Sequence, residues 1–265
     1  MKLTYKIEEV APYINWDYFY HAWGLIGKPD GEKRQLRAEA QALLQDIEGH
    51  YYTYAVFEIM EANSDGDDII MGNARIPMLR QQKPQGKGQA CLCLSDFIRP
   101  MSSGVKDQMG VYAATVDGCL EHDFKGDDFR QMMAQTLADR LAEATAERMH
   151  EEVRKNYWGY APDENLTMQE LHTGAFQGIR PAVGYPSLPD TSVNFILSDL
   201  VGMKQIGITL TETGMMRPHA SVSGLMISHP EASYFELGKI GEDQLSDYAR
   251  RRGVPVELIR KFITW

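Results

Sequence analysis

Apolar residues recur at four-residue steps through the middle of the chain. From Asp127 to Tyr157, the residues Phe129, Met133, Leu137, Leu141, Met149, Val153 and Tyr157 fall on such steps, which is the spacing of one helix face. At 1.5 Å per residue this helix would span roughly 46 Å, enough to be the backbone of a whole domain. Upstream, a short extended opening gives way to helical spacing from Pro12 to Leu25 through Tyr13, Trp16, Phe19, Tyr20 and Trp23. Gly27-Lys28-Pro29-Asp30-Gly31 breaks that pattern, and Glu32 to Ile47 predicts a second helix stopped by Gly49. Residues 1–50 are therefore expected to form a helical N-terminal cap within the domain.

Shorter runs have the character of strands. Tyr54 to Ile59 and Asp68 to Met71 flank the turn residues Ser64-Asp65-Gly66-Asp67, and Cys91 to Leu94 and Gly110 to Val116 add two more. Gln81 to Lys87 is a polar, Pro-containing loop. Beyond the long helix, the pattern predicts a small helix from about Thr167 to Gly174 and another from Ser192 to Met203. Strands follow near Ile208 to Glu212, Ser221 to Ile227 and Tyr234 to Ile240. Glu242 to Arg252 is a helix ended by Gly253, and Pro255 opens the last one. Consecutive strands and the lack of any internal repeat or Gly/Ser linker predict an α+β fold: a mixed, mainly antiparallel sheet flanked by helices, with one long central helix, in a single domain over 1–265.

Charge narrows the partners. A net charge of −10 argues against nucleic acid, which needs clustered cations. No apolar run approaches the roughly 20 residues of a membrane span, and Met1-Lys2-Leu3-Thr4-Tyr5-Lys6 lacks the apolar core of a signal peptide, so a cytoplasmic location is expected. Arg250-Arg251-Arg252 is a local basic exception, readable as a helix end favoured by the macrodipole or as a dock for an acidic protein. Cys91, Cys93 and Cys119 make no disulfide framework; alternation would put the first two on one strand face, as small buried hydrophobes or a weak metal pair. The seven histidines are scattered without metal-ligand spacing, and no hydrolase, phosphate-loop, zinc-protease or dinucleotide motif occurs. Neither a catalytic residue nor a metal site is expected.

The stretch from Gly178 to Asp190 carries the clearest chemical signal. Pro181, Pro186 and Pro189, with Gly178 and Gly184, forbid a helix interior or a central strand. They leave a stiff loop that fixes Arg180 and Tyr185: a guanidinium fork matched to a carboxylate, and an amphipathic aromatic wall. Arg180 could instead pair with a surface acid. Glu143, beside the inward stripe of the long helix, needs a partner; a ligand ammonium or ribose hydroxyl would serve, and so would Arg140 or Arg148 of its own helix.

Laid out in this way, the chain resembles the activation domain of cobalamin-dependent methionine synthase, here as a stand-alone chain. The likeness is carried by Ala138-Asp139-Arg140-Leu141-Ala142-Glu143-Ala144, by Tyr157-Trp158-Gly159-Tyr160-Ala161-Pro162 with Glu164-Asn165-Leu166, and by Gln177-Gly178-Ile179-Arg180-Pro181-Ala182 with Gly184-Tyr185-Pro186. It continues through Leu210-Thr211-Glu212, Ala220-Ser221-Val222-Ser223-Gly224, Ser228-His229-Pro230 and Asp247-Tyr248-Ala249-Arg250-Arg251. The resemblance implies an S-adenosylmethionine site made by Asn15, Glu143, Arg180, Ala182, Gly184, Tyr185, Tyr234 and Phe235, with Arg180 taking the methionine carboxylate. Asn15 stands where the family usually has Asp, and Phe235 where a second Tyr is usual. The implied role is reductive methylation of an oxidised cobalamin on a separate methionine synthase chain, with a flavodoxin-like electron donor. Cobalamin is then held by the partner, and the chain is a methyltransferase component with no activity alone in methionine biosynthesis. The alternative is a docking or cobalamin-chaperone protein of the same fold that no longer binds S-adenosylmethionine productively.

Overall fold

In the computed structural model, which describes residues 1–84, 86 and 88–263, the extended opening is a strand, β1 (Lys2–Lys6). Gln85 and Lys87 of the polar loop, like Thr264 and Trp265, lie outside the described residues. The N-terminal cap follows as α1 (Ile7–Val10), α2 (Trp16–Ala22) and α3 (Asp30–Ile47). The 14-residue strand β2 (Tyr52–Asp65) organises the sheet. Its first half pairs with β1 and its last residues with β3 (Asp68–Met71), while β5 (Asp107–Val116) runs along the other edge. β4 (Ala74–Pro77) extends the sheet beyond β3, and β8 (Ser221–Met226) beyond β5. A separate two-stranded ribbon is formed by β6 (Thr209–Leu210) and β7 (Met216–Arg217). All of these strand pairs are antiparallel, in accord with the expected α+β class.

Period-two alternation divides the core into two layers. Tyr112, Ala114 and Val116 of β5 face one layer with α4 (Asp128–Glu152); Val111 and Ala113 face the other, with α6 (Val193–Val201), α7 (Glu242–Arg252) and α8 (Val256–Phe262). The small helix α5 (Met168–His172) opens on Thr167, whose hydroxyl accepts from the Glu170 N–H while the Glu170 carboxylate caps Thr167 in return. α4 is the predicted long helix. It continues as a wider helical turn at Val153–Tyr157, from which Arg154 points into the protein with no exposed side-chain surface. Arg154 donates to both carboxylate oxygens of Glu164 (2.8 and 2.7 Å) and contacts His150 Nδ1 at 2.8 Å, pinning the Tyr157 to Asn165 segment to α4.

Three expectations are corrected. Cys91 to Leu94 is not a strand: Cys93 makes one isolated bridge to Arg80, and its N–H is then captured by Asp96, which starts a 3-10 turn at Leu94. Tyr234 to Ile240 forms no strand either, because the outer edge of β8 is already occupied by residues 179–183, through bridges Ile179 to Ile227 and Ala182 to Gly224. Only Arg250 of the basic triplet is an exposed helix end, bonded to Asp247. Arg251 turns inward to Asp68 and Asp247, and Arg252 to Asp190 and the Ser192 hydroxyl, so both serve as internal ties. Among the described residues, no helix is long and apolar enough to cross a membrane, and no three His, Cys, Asp or Glu residues converge as a metal site.

Candidate functional site

The proline-rich stretch begins as an added edge of the sheet rather than as a free surface loop. Residues 179 and 183 hydrogen-bond to β8 or its continuation: the Ile179 N–H donates to Ile227 O at 2.9 Å and the Val183 N–H to Ser223 O at 2.9 Å. This close approach requires glycine at two places. A Cβ on Gly224 would lie 2.2 Å from the Pro181 carbonyl oxygen, and one on Gly178 (φ +83°) would lie 2.3 Å from Ile227 O. Gly184 (φ +90°) then turns the chain, with its N–H donating to Leu188 O at 2.8 Å, and Tyr185 follows on the turn.

α4 faces this edge with Arg140, Glu143, Ala144 and Glu147, an i, i+3, i+4, i+7 stripe on one helix side. Between the two lies a cavity of about 880 Å³, a size suited to a small molecule or cofactor. Asn15, Glu143, Arg180, Ala182, Tyr185, Tyr234 and Phe235 all line it. Gly184 lies apart from them, lining a smaller cavity of about 350 Å³. Arg140, Glu143, Tyr185 and Val222 line both cavities.

Each of the polar side chains has a local role as well. Arg180 is only 14% exposed; Nη1 donates to the Ala146 carbonyl at 3.1 Å and Nη2 to Glu147 Oε2 at 2.9 Å, with the guanidinium over the Tyr112 ring. Burial is the largest influence and works against its charge, but Glu147, Tyr112 and Tyr234 together outweigh it and hold the guanidinium more firmly protonated than usual. Glu143 pairs with Arg140 at 2.9 Å, one of the two cations the sequence offered, whereas Arg148 turns to Tyr13 and Glu152. The Tyr185 hydroxyl donates to Glu143 Oε1 at 3.2 Å, and its pKa is pushed up to about 12 by burial of that end and then by Glu143. Asn15 caps α2, its Oδ1 accepting from the Asp17 N–H at 3.1 Å. The Tyr234 hydroxyl accepts the Arg180 backbone N–H at 2.9 Å, while Phe235 is buried 6.5 Å from the Phe97 ring.

Sequence reasoning missed Glu147 and Tyr112. Glu147 lies one helical turn beyond Glu143, so the stripe that exposed one carboxylate could have exposed the other. Tyr112 is brought to the cavity by the pairing of β5 with β8, opposite Gly224, a long-range register that local pattern does not carry. Glu147 Oε1 is buried and makes no hydrogen bond among the described residues, while the buried Tyr112 hydroxyl lies against the Arg180 guanidinium.

Comparison with known proteins places these features in context. A family model described as "Vitamin B12 dependent methionine synthase, activation domain" matches residues 6–253. Among solved structures, the crystal structure of the MetH reactivation domain bound to AdoHcy superposes with a TM-score of 0.93 at 36% identity, covering 99% of this chain and 88% of that one.

Proposed function

Because the chain belongs to the family of vitamin B12 dependent methionine synthase activation domains, we propose that its large cavity binds S-adenosylmethionine for reactivation of a corrinoid. The observation that carries this reading is the convergence of Asn15, Glu143, Arg180, Ala182, Tyr185, Tyr234 and Phe235 on one cavity. Arg180 would meet the methionine carboxylate with guanidinium N–H donors not taken by Ala146 and Glu147. Tyr13, Tyr18 and Phe176 supply aromatic surface for the adenosine, and Glu143 an acceptor for a ribose hydroxyl. Gly184, which the resemblance gives as a ligand-binding residue, lines the neighbouring cavity and turns the chain ahead of Tyr185.

S-adenosylmethionine supplies the methyl group when bound; the protein positions and shields it. The acceptor is cobalamin on a separate synthase chain. That cofactor would accept the methyl group after one-electron reduction by a flavodoxin-like donor, and S-adenosylhomocysteine would leave the cavity. A cytoplasmic setting belongs to the same proposal.

Calorimetric titration tests the first half. S-adenosylmethionine should release or absorb heat and raise Tm in the presence of a chelator; no heat and no shift at millimolar ligand would favour the docking or chaperone role instead. The second half is read from the cobalt spectrum of an oxidised synthase lacking its own activation domain. The methylated spectrum should return only with this chain, the reductant and S-adenosylmethionine together, and an equal rate without the chain refutes the reactivation role.

A further inference from the structure

One buried polar atom in the cavity wall remains without a protein partner, Glu147 Oε1. Tyr112 is 0% exposed, and the Arg180 guanidinium lies 5.9 Å from its ring centroid. A buried acceptor without a donor is costly, and in folded proteins such a group commonly marks a ligand or water contact. Glu147 already holds Arg180 through Oε2. Oε1 of the same carboxylate is the acceptor left over at the cavity wall.

A guanidinium and an anionic acceptor, fixed side by side, are the complement of a carboxylate and an ammonium on one carbon. We propose that Glu147 receives the α-ammonium of the ligand whose carboxylate meets Arg180, so that Glu147 and Arg180 together select an intact amino-acid head group. The assignment rests on the reading of the cavity as an S-adenosylmethionine site. It leaves Glu143, already paired with Arg140 and Tyr185, to the ribose.

The test compares S-adenosylhomocysteine with its 2-oxo analogue, in which a carbonyl oxygen replaces the ammonium and the carboxylate is kept. The wild-type chain should bind the amine-bearing ligand roughly tenfold to a hundredfold more tightly, the range of one charge-assisted hydrogen bond to a buried group. Glu147→Gln should erase most of that preference by weakening S-adenosylhomocysteine while leaving the 2-oxo analogue little changed. If Glu147 only steadies Arg180, the variant weakens both ligands by the same factor, and the assignment fails. Should the variant not fold, the wild-type comparison still decides: equal affinities for the two ligands overturn the ammonium contact. Binding of neither ligand by the wild-type chain removes the parent reading, an outcome distinct from binding both equally.

Discussion

Arg180 has two roles, and its substitutions separate them. Its guanidinium neutralises Glu147 on α4, so Arg180→Ala leaves a largely buried carboxylate unpaired. The variant should lose about 1–3 kcal/mol of stability, seen in the denaturant midpoint, as well as affinity for S-adenosylmethionine. Arg180→Lys keeps the charge but not the fork, and should retain more of both; equal loss of affinity in the two variants would show that the fork is not used. Asn15 is a different case, since it caps α2 and Asp caps equally well. Asn15→Asp should therefore leave Tm nearly unchanged while tightening S-adenosylmethionine by about 1 kcal/mol, the scale of a partly exposed charge pair. An equal gain for S-adenosylhomocysteine would show that position 15 does not sense the sulfonium.

At the scale of elements, the site exists because an irregular edge segment and a helix face each other across a cavity. Helical spacing made α4 legible, and the proline and glycine run correctly excluded regular structure from 178–190. Lateral pairing was not legible: which segment takes the edge of β8 depends on partners dozens of residues apart. Residues 234–240 have the composition of a strand and were displaced by 179–183, whose approach depends on Gly224 having no side chain. Tyr112 stayed hidden for the same reason, and Glu147 was missed although the helical stripe could have shown it, while Arg180, Glu143 and Tyr185, which line the cavity, were singled out by local chemistry and family likeness together. Gly224→Ala should push the Pro181 carbonyl away, lowering stability by about 1–3 kcal/mol and ligand affinity with it. Unchanged affinity and midpoint would mean that the 179–183 segment can shift without cost to the site.

For the whole molecule, stability depends on polar groups buried in both layers. His150 is fully buried, and its pKa is lowered well below the usual value by burial, then by Arg180 and Arg154. The folded state keeps this ring neutral, whereas an unfolded chain protonates it below a pH of about 6.5. Unfolding therefore takes up a proton, and stability should be intact above that pH and fall as pH drops, by up to about 1.4 kcal/mol per unit from this group. Chemical denaturation from pH 7.5 to 5.5 measures it; a His150→Gln variant that folds should lose this part of the slope. An unchanged slope would assign the acid sensitivity to other groups.

The edge segment beyond β8 has one more consequence, for the protein at high concentration. An exposed sheet edge invites a strand from another chain, and its outward groups are those of Arg180 and Ala182. Two of these four backbone groups are already occupied: the Arg180 N–H by the Tyr234 hydroxyl at 2.9 Å, and the Ala182 carbonyl by the Tyr185 N–H at 3.3 Å. The residues that wall the cavity thus also take up part of the border that another chain could pair with, and Tyr234 serves colloidal solubility as well as the proposed site.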